Sequence, residues 1–304
     1  NSGAFVDFGG SFPICQSSVS RIEEYANDLY CNYPTPSSPK SAIDIEIDSF
    51  RNELLSMFNT DSSKYSVFFG ENTSAVLRQL GHSFPWGKGH KFIYHIDNHN
   101  SVLGLRHIVN RNKGEIGAVF DFPDSSGESH SLFAYVPQSN FNGKKYPLDW
   151  ISQFQSLNPG LSHVLVDCAA YSPTNDLDLT KYSPEFVVFS LLKMFGVSGG
   201  VLLVRNDSFE YLQNLKETPF DKMSITAAYS GMKVRSSFIK ALGTETVSEH
   251  VYSLAKYLHD SLSQLKHYNG KPLVKLYPSE FGSISEQGGT IAFNLFDSNG
   301  NGIP

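Results

Sequence analysis

The chain has 304 residues, of which 40% are apolar and 18% charged, and its formal net charge is −6. This is the composition of a folded globular protein with enough length for about two folding units. Lysine and arginine form no run, which argues against nucleic acid or an anionic membrane as a partner, and no apolar run reaches the ~18 residues of a membrane span. Three widely spaced cysteines (Cys15, Cys31 and Cys168) argue against a disulfide framework or a zinc knuckle, and we expect a cytoplasmic protein.

The first 40 residues are rich in glycine, serine and proline and contain one predicted helix, Ser18–Leu29. A second helix is predicted over Ser41–Phe58, where apolar residues recur at the spacing of a single buried stripe. We expect residues 1–40 to form an N-terminal segment that contributes to a smaller lobe.

From about residue 60, short β-branched and aromatic runs alternate with helical or loop segments. The predicted strands are Tyr65–Phe69, Lys91–Tyr94, Gly117–Phe122, Ser131–Val136, His163–Asp167, Glu185–Ser190 and Gly200–Val204. Several are almost continuously apolar, as strands covered on both faces are. This alternation predicts an α/β domain with a mostly parallel sheet over residues 41–220, with ligands at the carboxyl ends of its strands.

After about Ser208 the pattern changes to long amphipathic helices, predicted over Ser224–Leu242 and Val247–His267. A strand over Thr290–Phe296 and a hairpin tip follow. We expect residues 221–304 to form a smaller lobe. Because strands rarely end a domain at their own turn, we also expect that residues beyond Pro304 are missing.

The most unusual local feature is a lysine in an apolar segment. The neighbours of Lys193 are Phe189, Leu191, Leu192, Met194 and Phe195. Burying an unpaired ammonium is costly, so such a lysine tends to lose its charge or to form a covalent bond. A desolvated amine is also a nucleophile toward aldehydes. A lysine that reaches the surface from a strand end explains these residues equally well.

Asp167 ends the apolar strand that precedes this segment. A carboxylate there, beside a buried lysine from the next strand, can keep a pyridinium ring protonated. Capping of the following turn is the common alternative role.

The segment Gly70–Ser74 has the pattern of a strand end, a glycine turn and a helix start. Backbone amides of Asn72, Thr73 and Ser74 at that helix start would bind a phosphate. Simple N-capping by Asn72 or Thr73 explains the pattern equally well.

His95 and His99 are four residues apart, a spacing that binds zinc on a helix. The preceding strand and the absence of a glutamate at the general-base position disfavour zinc. We expect His99 to stack on a flat aromatic ring and His95 to be structural.

Asn140, in a polar loop after a strand, can offer an amide to a phenolic oxygen, although Asn142-Gly143 also fits an ordinary turn.

Taken in order, these segments resemble the class V aminotransferase-like enzymes, which use pyridoxal 5′-phosphate (PLP) and have fold type I. More narrowly, they resemble the N-terminal cysteine-desulfurase-like domain of eukaryotic molybdenum cofactor sulfurases. The resemblance implies a mostly parallel central sheet between helices, with a smaller α+β lobe. It is carried by Ser83–Trp86, Asp97–Arg106, Pro137–Gly143 with Tyr146–Leu148, Phe189–Gly196 and Gln287–Asn294.

The resemblance also implies residue roles. Lys193 would carry PLP as a Schiff base and exchange protons at the substrate Cα, while His99 would stack on the ring. Asp167 would pair with the pyridine nitrogen and Asn140 with the phenolic oxygen. The phosphate would be held by Asn72, Thr73 and Ser190. The implied reaction takes sulfur from L-cysteine for a molybdenum cofactor or molybdoenzyme acceptor, and such enzymes are usually homodimers.

The chain departs from the family pattern at several places. Asp7-Phe8-Gly9-Gly10 lacks the histidine of an Asp-His-Ala-Gly block, and Asn32-Tyr33-Pro34-Thr35 replaces an Asn-Pro-His-Ser-like block. Phe220-Asp221-Lys222-Met223 stands where relatives have a Gly-Gly-Gly-Thr-like segment. Gln287 stands near the position of a carboxylate-binding arginine. Arg235 and Arg106 are candidate substitutes, although a role as a surface ion-pair residue explains either arginine equally well. None of the three cysteines matches the persulfide-forming cysteine, and Cys168 is expected to be a packing residue.

These departures leave three functional hypotheses. The first is a PLP-dependent sulfurtransferase that acts on cysteine. The second is another PLP reaction on a different amino acid, by a lyase, an epimerase or an aminotransferase. The third is a non-catalytic PLP-binding homologue, although the joint presence of Lys193, Asp167, Asn140 and His99 argues against it.

Overall fold

A computed structural model describes residues 6–7, 9–27, 40–217 and 220–303. Sequence features outside these ranges are Phe8, Leu29, Cys31, the segment Asn32-Tyr33-Pro34-Thr35, and Pro304.

A seven-stranded sheet lies at the centre of the described structure. Its strands are β1 (Tyr65–Gly70), β2 (Lys91–His95), β3 (Glu115–Val119), β4 (Ser131–Tyr135), β5 (Ser162–Asp167), β6 (Phe186–Ser190) and β7 (Gly200–Arg205). The spatial order is β1-β7-β6-β5-β4-β2-β3, and within it only β7 runs antiparallel to its neighbours. The predicted α/β fold with a mostly parallel sheet is therefore confirmed. The predicted strand Gly117–Phe122 was wrong in its bounds, because β2 pairs with β3 only from Glu115 to Val119.

Both faces of this sheet are covered. Phe186 and Val188 of β6 belong to one buried cluster, whereas Val187 and Phe189 belong to another on the opposite face. Successive side chains of a strand point to opposite faces, so the continuous apolar run in β6 follows from burial on both sides.

The helices of the described residues pack on these two faces and around the second sheet. They are α1 (Gln16–Asn27), α2 (Ala42–Met57), α3 (Thr73–Ser83), α4 (Asn100–Leu103), α5 (Leu105–Arg111), α6 (Trp150–Leu157), α7 (Leu191–Phe195), α8 (Lys222–Leu242) and α9 (Thr244–Ser263). The predicted end of the last helix at His267 was wrong. The chain turns after Ser263, because Lys266 forms a β-bridge with Pro272 and the His267 amide donates to the Lys271 carbonyl.

A three-stranded antiparallel sheet follows the long helices. It consists of β8 (Val274–Tyr277), β9 (Ala292–Phe296) and β10 (Gly302–Ile303), in the order β10-β9-β8. The side chains of Ile225 and Met232 on α8 lie in the same buried cluster as the large sheet. The domain limits at residues 40 and 220 stay a prediction. None of the helices in the described ranges combines the length and apolar character needed to cross a bilayer.

Candidate active site

The sheet brings the carboxyl ends of several strands to one edge, here called the carboxyl edge. Asp167 at the end of β5 lies opposite Val188, and Ser190 at the end of β6 lies opposite Gly200. Gly200 is also paired with Gly70, the last residue of β1. Asp167, Ser190 and the start of α3 are thereby placed on the same side of the sheet, as the sequence predicts.

Lys193 lies on α7, the short helix that begins directly after β6. Ser190 caps this helix, its Oγ accepting a hydrogen bond from the Lys193 amide at 3.4 Å. The Lys193 side chain is partly buried, and its Nζ donates to Oδ1 of Asn140 at 2.6 Å. Burial lowers the pKa of Lys193, while the charges of Asp167 and Asp7 oppose that shift. The lysine therefore does not extend freely into solvent, and its amine is easier to deprotonate than an exposed one.

Asp167 is 2% exposed. Its Oδ1 accepts a hydrogen bond from the Ala169 amide at 3.0 Å, so the turn-capping role considered from the sequence is present. Burial raises the pKa of Asp167; the Ala169 bond and the charges of Lys193 and His99 act in the opposite direction. Its second oxygen makes no hydrogen bond to the described residues and is available to a cationic or N–H partner.

Asn140 has an unsatisfied donor. Its Oδ1 is occupied by Lys193, but its Nδ2 is buried and has no partner among the described residues. A buried donor without a partner costs about 1–3 kcal/mol, so native structures retain one mainly where a ligand or water completes the site.

The turn before α3 has the geometry of an anion site. Asn72 is the N-cap, its Oδ1 accepting from the Ala75 amide at 2.9 Å, so the predicted capping role is confirmed. The amides of Thr73 and Ser74, in the first helical turn, donate no hydrogen bond within the described residues. A Cβ at Gly200 would lie 2.3 Å from the Asn72 carbonyl carbon, so only glycine at this position of β7 allows the turn to approach the sheet.

His99 lies on the loop after β2 with an exposed side chain. Its Nδ1 accepts from the amide of Ser101 at 3.2 Å and lies 2.9 Å from the hydroxyl of the same serine. The Ser101 hydroxyl is in turn 2.6 Å from that of Ser74. These contacts fix the His99 ring beside the start of α3, close enough for its charge to act on Asp167.

His95 has the structural role expected of it. It is 1% exposed, its Nε2 lies 3.0 Å from the Phe120 carbonyl, and its Nδ1 accepts from the Asp97 amide at 3.2 Å. Burial lowers the pKa of His95. In the described part of the chain, no group of three or more His, Cys, Asp or Glu residues is arranged to hold a metal ion.

Gln287, near the position of the expected arginine, is committed to packing. It is 2% exposed, and its Nε2 donates to the carbonyls of Asn142 at 2.7 Å and Thr290 at 3.2 Å. The side chain therefore ties the segment 287–290 to the Asn140 loop and has no free donor to offer a substrate.

The two arginines considered as substitutes also bind protein carbonyls. Arg235 donates to Pro173 at 2.9 Å and Ser172 at 3.2 Å, and Arg106 donates to Leu103 at 2.8 Å. Neither forms an ion pair within the described ranges, so the alternative of surface ion-pair residues was wrong.

One acidic neighbour of the lysine was missed. In the sequence Asp7 was noted only as part of an altered block, but the charge of its carboxylate raises the pKa of Lys193. The Phe12 amide donates to the Leu192 carbonyl at 3.0 Å, which holds the N-terminal segment on α7. No local pattern predicts this contact, because Phe12 and Leu192 are 180 residues apart in the sequence.

Together these residues can perform a defined set of chemical tasks. Lys193 provides a nucleophilic amine, Asp167 a buried carboxylate, and Asn140 an unpaired amide donor. The turn before α3 provides backbone amides for an anion. Such a site can bind a flat, anionic cofactor that reacts with an amine.

Comparison with known proteins agrees with this arrangement. The family model described as aminotransferase class V matches residues 4–275. The human molybdenum cofactor sulfurase is 29% identical over 342 residues, covering 93% of this chain and 38% of that protein. The Drosophila melanogaster molybdenum cofactor sulfurase is 30% identical over 371 residues, covering 99% of this chain and 46% of that protein. The chain thus spans less than half the length of these relatives.

Solved structures show the same fold. The apo cysteine desulfurase of Thermococcus onnurineus has a TM-score of 0.74 at 14% identity, covering 95% of this chain and 78% of that one. The cystine C–S lyase C-DES, bound to its product cysteine persulfide, has a TM-score of 0.73 at 16% identity and coverages of 95% and 83%. A C-DES variant with glycine covalently linked to its PLP cofactor has a TM-score of 0.74 at 14% identity, covering 95% of this chain and 82% of that one. From its match over most of its length, the chain belongs to the class V aminotransferase family.

Proposed function

We propose that this chain is a PLP-dependent sulfurtransferase of the cysteine desulfurase type. The observation that carries the proposal is the contact of the desolvated Lys193 amine with Asn140, whose buried Nδ2 has no partner. The relatives named molybdenum cofactor sulfurase support the same reaction class.

The residues present fit PLP. The unpaired Asn140 Nδ2 is a donor for the phenolic oxygen, and the second Asp167 oxygen is an acceptor for the pyridine N–H. Ser190 and the turn formed by Asn72 and Thr73 would hold the phosphate. When bound, PLP supplies an electron sink for carbanions at the substrate Cα.

The chain's own residues then have distinct tasks. Lys193 would hold the cofactor through Nζ and, once displaced by substrate, move a proton at the substrate Cα, which its lowered pKa favours. Asp167 would keep the ring nitrogen protonated. His99, fixed by Ser101, would pack on the ring face.

The proposed overall reaction converts L-cysteine and an acceptor thiol into L-alanine and a persulfide. The C–S bond of cysteine breaks, an S–S bond forms on the acceptor, and the acceptor's proton ends on alanine. Cys168 is fully buried, and burial raises its pKa well above the ordinary value, so it is unsuited to accept sulfur. None of the three cysteines matches the persulfide-forming position of the family pattern, so we assign the acceptor thiol to none of them. The homodimer, the molybdenum cofactor or molybdoenzyme as final acceptor and the cytoplasmic location remain parts of this proposal.

The test is to reconstitute the purified protein with PLP and then supply L-cysteine with dithiothreitol as sulfur acceptor. We expect a visible absorption band and alanine as product. Lys193→Ala should lack both, whereas Lys144→Ala, a change of an exposed lysine, should retain both. A wild-type protein that stays colourless after reconstitution would contradict the proposal.

Another PLP reaction is favoured by one observation: Gln287, committed to packing, stands near the position of the carboxylate-binding arginine of related desulfurases, so the site departs from the desulfurase pattern there. The products separate the two functions. A desulfurase gives alanine, whereas a C–S lyase gives pyruvate and ammonia. Pyruvate in excess of alanine would replace the first function with the second.

A further inference from the structure

Asn140 is carried by a short hairpin, here called the Asn140 hairpin, which spans residues 137–146. The Ser139 amide donates to the Lys144 carbonyl at 2.8 Å, and the Tyr146 amide donates to the Pro137 carbonyl at 3.0 Å. The hairpin is not a strand of either sheet, so its position depends on the side-chain and backbone contacts that fasten it to its surroundings.

Lys145 makes several of these contacts. Its Nζ donates to Asn175 Oδ1 and to the Ile284 carbonyl, both at 2.8 Å, and its amide donates to the Glu286 carbonyl at 2.7 Å. The side chain is partly buried, and no carboxylate lies within ion-pair distance among the described residues. Burial lowers the pKa of Lys145. A desolvated ammonium held only by neutral acceptors is costly, and a surface lysine in ordinary packing would avoid that cost.

Asn175, one of the two acceptors of Lys145 Nζ, connects the hairpin to the segment after Asp167. Asn175 belongs to the turn that follows β5, and its Nδ2 donates to the Tyr171 carbonyl at 3.1 Å and to Gln138 Oε1 at 3.4 Å. Gln138 Nε2 donates to the Ala170 carbonyl at 3.1 Å. One end of the hairpin is therefore bonded to the segment directly after Asp167.

Ile284, the other acceptor of Lys145 Nζ, belongs to the loop 284–290. The Gly288 amide donates to the Gly143 carbonyl at 2.8 Å. Gly143 has φ 76°, and a Cβ there would lie 2.6 Å from Gln287 Nε2 and 2.7 Å from the Thr290 carbonyl oxygen. The loop 284–290 and the hairpin are in close contact, so a shift of one requires a shift of the other.

We propose that Lys145 is a positioning residue that fixes the Asn140 hairpin between the turn after Asp167 and the loop 284–290, and thereby sets the contact between Asn140 and Lys193. Lys145 acts through Asn140 and touches neither the substrate nor the cofactor. The expected effect of Lys145 on bound PLP rests on the function proposed above. The expected effect on the reactivity of Lys193 in the cofactor-free protein is independent of that function.

The cofactor-free test measures how fast Lys193 is acetylated by acetic anhydride, read by peptide mass. Asn140→Ala removes the acceptor of Lys193 directly and sets the scale of the effect. Lys145→Met should accelerate labelling in the same direction by about threefold, a change of less than 1 kcal/mol in barrier. Lys144→Met is the matched control, because Lys144 is exposed and its Nζ lies 5.0 Å from the Tyr146 ring centre. It should label as wild type does.

The holoenzyme test follows the pH at which the visible band of bound PLP changes. Lys145→Met should move this midpoint by about half a pH unit or more, a size typical of the loss of one polar contact. Adding Lys145→Met to Asn140→Ala should cause no further shift, because the two residues act in series. Asn175→Ala provides a second variant with the same expected effect should Lys145→Met fail to fold.

A purely structural lysine would lower the melting temperature without changing the Lys193 labelling rate or the midpoint, and that result would overturn the proposal. A shift that persists undiminished in the Asn140→Ala background would overturn it as well. If the wild-type protein takes up no PLP, the proposed function fails, and the labelling rates still decide the role of Lys145.

Discussion

The two edges of the large sheet bury charged groups in different ways. At the edge opposite the candidate site, here called the amino edge, Glu185 is 3% exposed, and both oxygens of its carboxylate have partners. It lies 2.7 Å from Arg205, accepts from Gln155 at 2.9 Å, and accepts from the Val164 amide at 2.8 Å. At the carboxyl edge, Asp167 is equally buried but has one amide donor.

The difference separates a buried carboxylate that serves the fold, Glu185, from one that can receive a ligand, Asp167. A buried charge with a complete set of partners is tolerated within the folded protein, and breaking that set is costly. A buried group with partners missing costs free energy in the protein alone, and a ligand that supplies those partners recovers it. Asp167 and the unpaired Nδ2 of Asn140 belong to the second kind.

The largest expected effect comes from Asp167→Asn. We expect alanine formation to fall by about 10²–10³-fold, equal to ~3–4 kcal/mol of lost transition-state stabilisation, because a neutral amide cannot hold the ring nitrogen protonated. The cofactor-free protein should lose no stability, because its folded state no longer buries a carboxylate. Kinetics of the holoenzyme and urea unfolding of the cofactor-free protein measure the two effects. A marked loss of stability would place Asp167 with Glu185 as a residue that serves the fold.

Glu185→Gln should have the reverse pattern. The change removes the charge of the buried partner of Arg205, which keeps its second ion pair with Asp207 at 2.7 Å, so the free energy of unfolding should fall by about 1–3 kcal/mol. The affinity for PLP should stay within about twofold of wild type, because the change lies at the other edge of the sheet. Urea unfolding gives the first quantity and a PLP titration the second. Weaker PLP binding by the folded variant would mean that the two edges are coupled.

A smaller effect is expected from pH at the amino edge. His163 Nε2 lies 2.8 Å from His130 Nδ1, and burial, together with the charges of His130 and Arg205, lowers the pKa of His163 to about 3. The unfolded chain therefore binds a proton at His163 more readily than the folded protein does. The contribution of neutral His163 to the free energy of unfolding is fully present above pH 6.5 and is lost as the pH falls toward 3. At pH 5 the loss due to His163 should be about 2 kcal/mol.

The matched variant is His163→Phe, which keeps an aromatic side chain beside Tyr211 and Phe84. Its free energy of unfolding should fall less steeply between pH 6.5 and pH 5, although His130, whose pKa is also lowered by burial, leaves part of the slope. Equal slopes in the variant and the wild type would show that His163 is not held neutral in the folded state.

The sequence predicted the sheet and the placement of the site well, for a physical reason. Apolar runs such as Val187–Phe189 indicate burial on both faces, and the direction of parallel strands places Asp167, Ser190 and the turn after β1 at one edge. These properties depend on local periodicity and on the geometry of parallel strands, both of which a single sequence records.

Contacts between distant segments were not predictable in this way. Asp7 beside Lys193, Gln287 against the Asn140 hairpin, and Lys145 between Asn175 and Ile284 all depend on how loops pack. A lysine or a glutamine in a polar loop carries no periodic signal, and the same residues are compatible with a solvated turn. A glycine is more informative where two segments approach closely, as Gly200 does beside Asn72.

In the proposed function, Lys193 holds PLP covalently at the carboxyl edge. The most direct measurement is borohydride reduction of the PLP-treated protein, followed by digestion and mass mapping of the modified lysine. We expect a single phosphopyridoxyl group on Lys193, absent from Lys193→Ala. Modification of another lysine, such as Lys145, or of none, would contradict it.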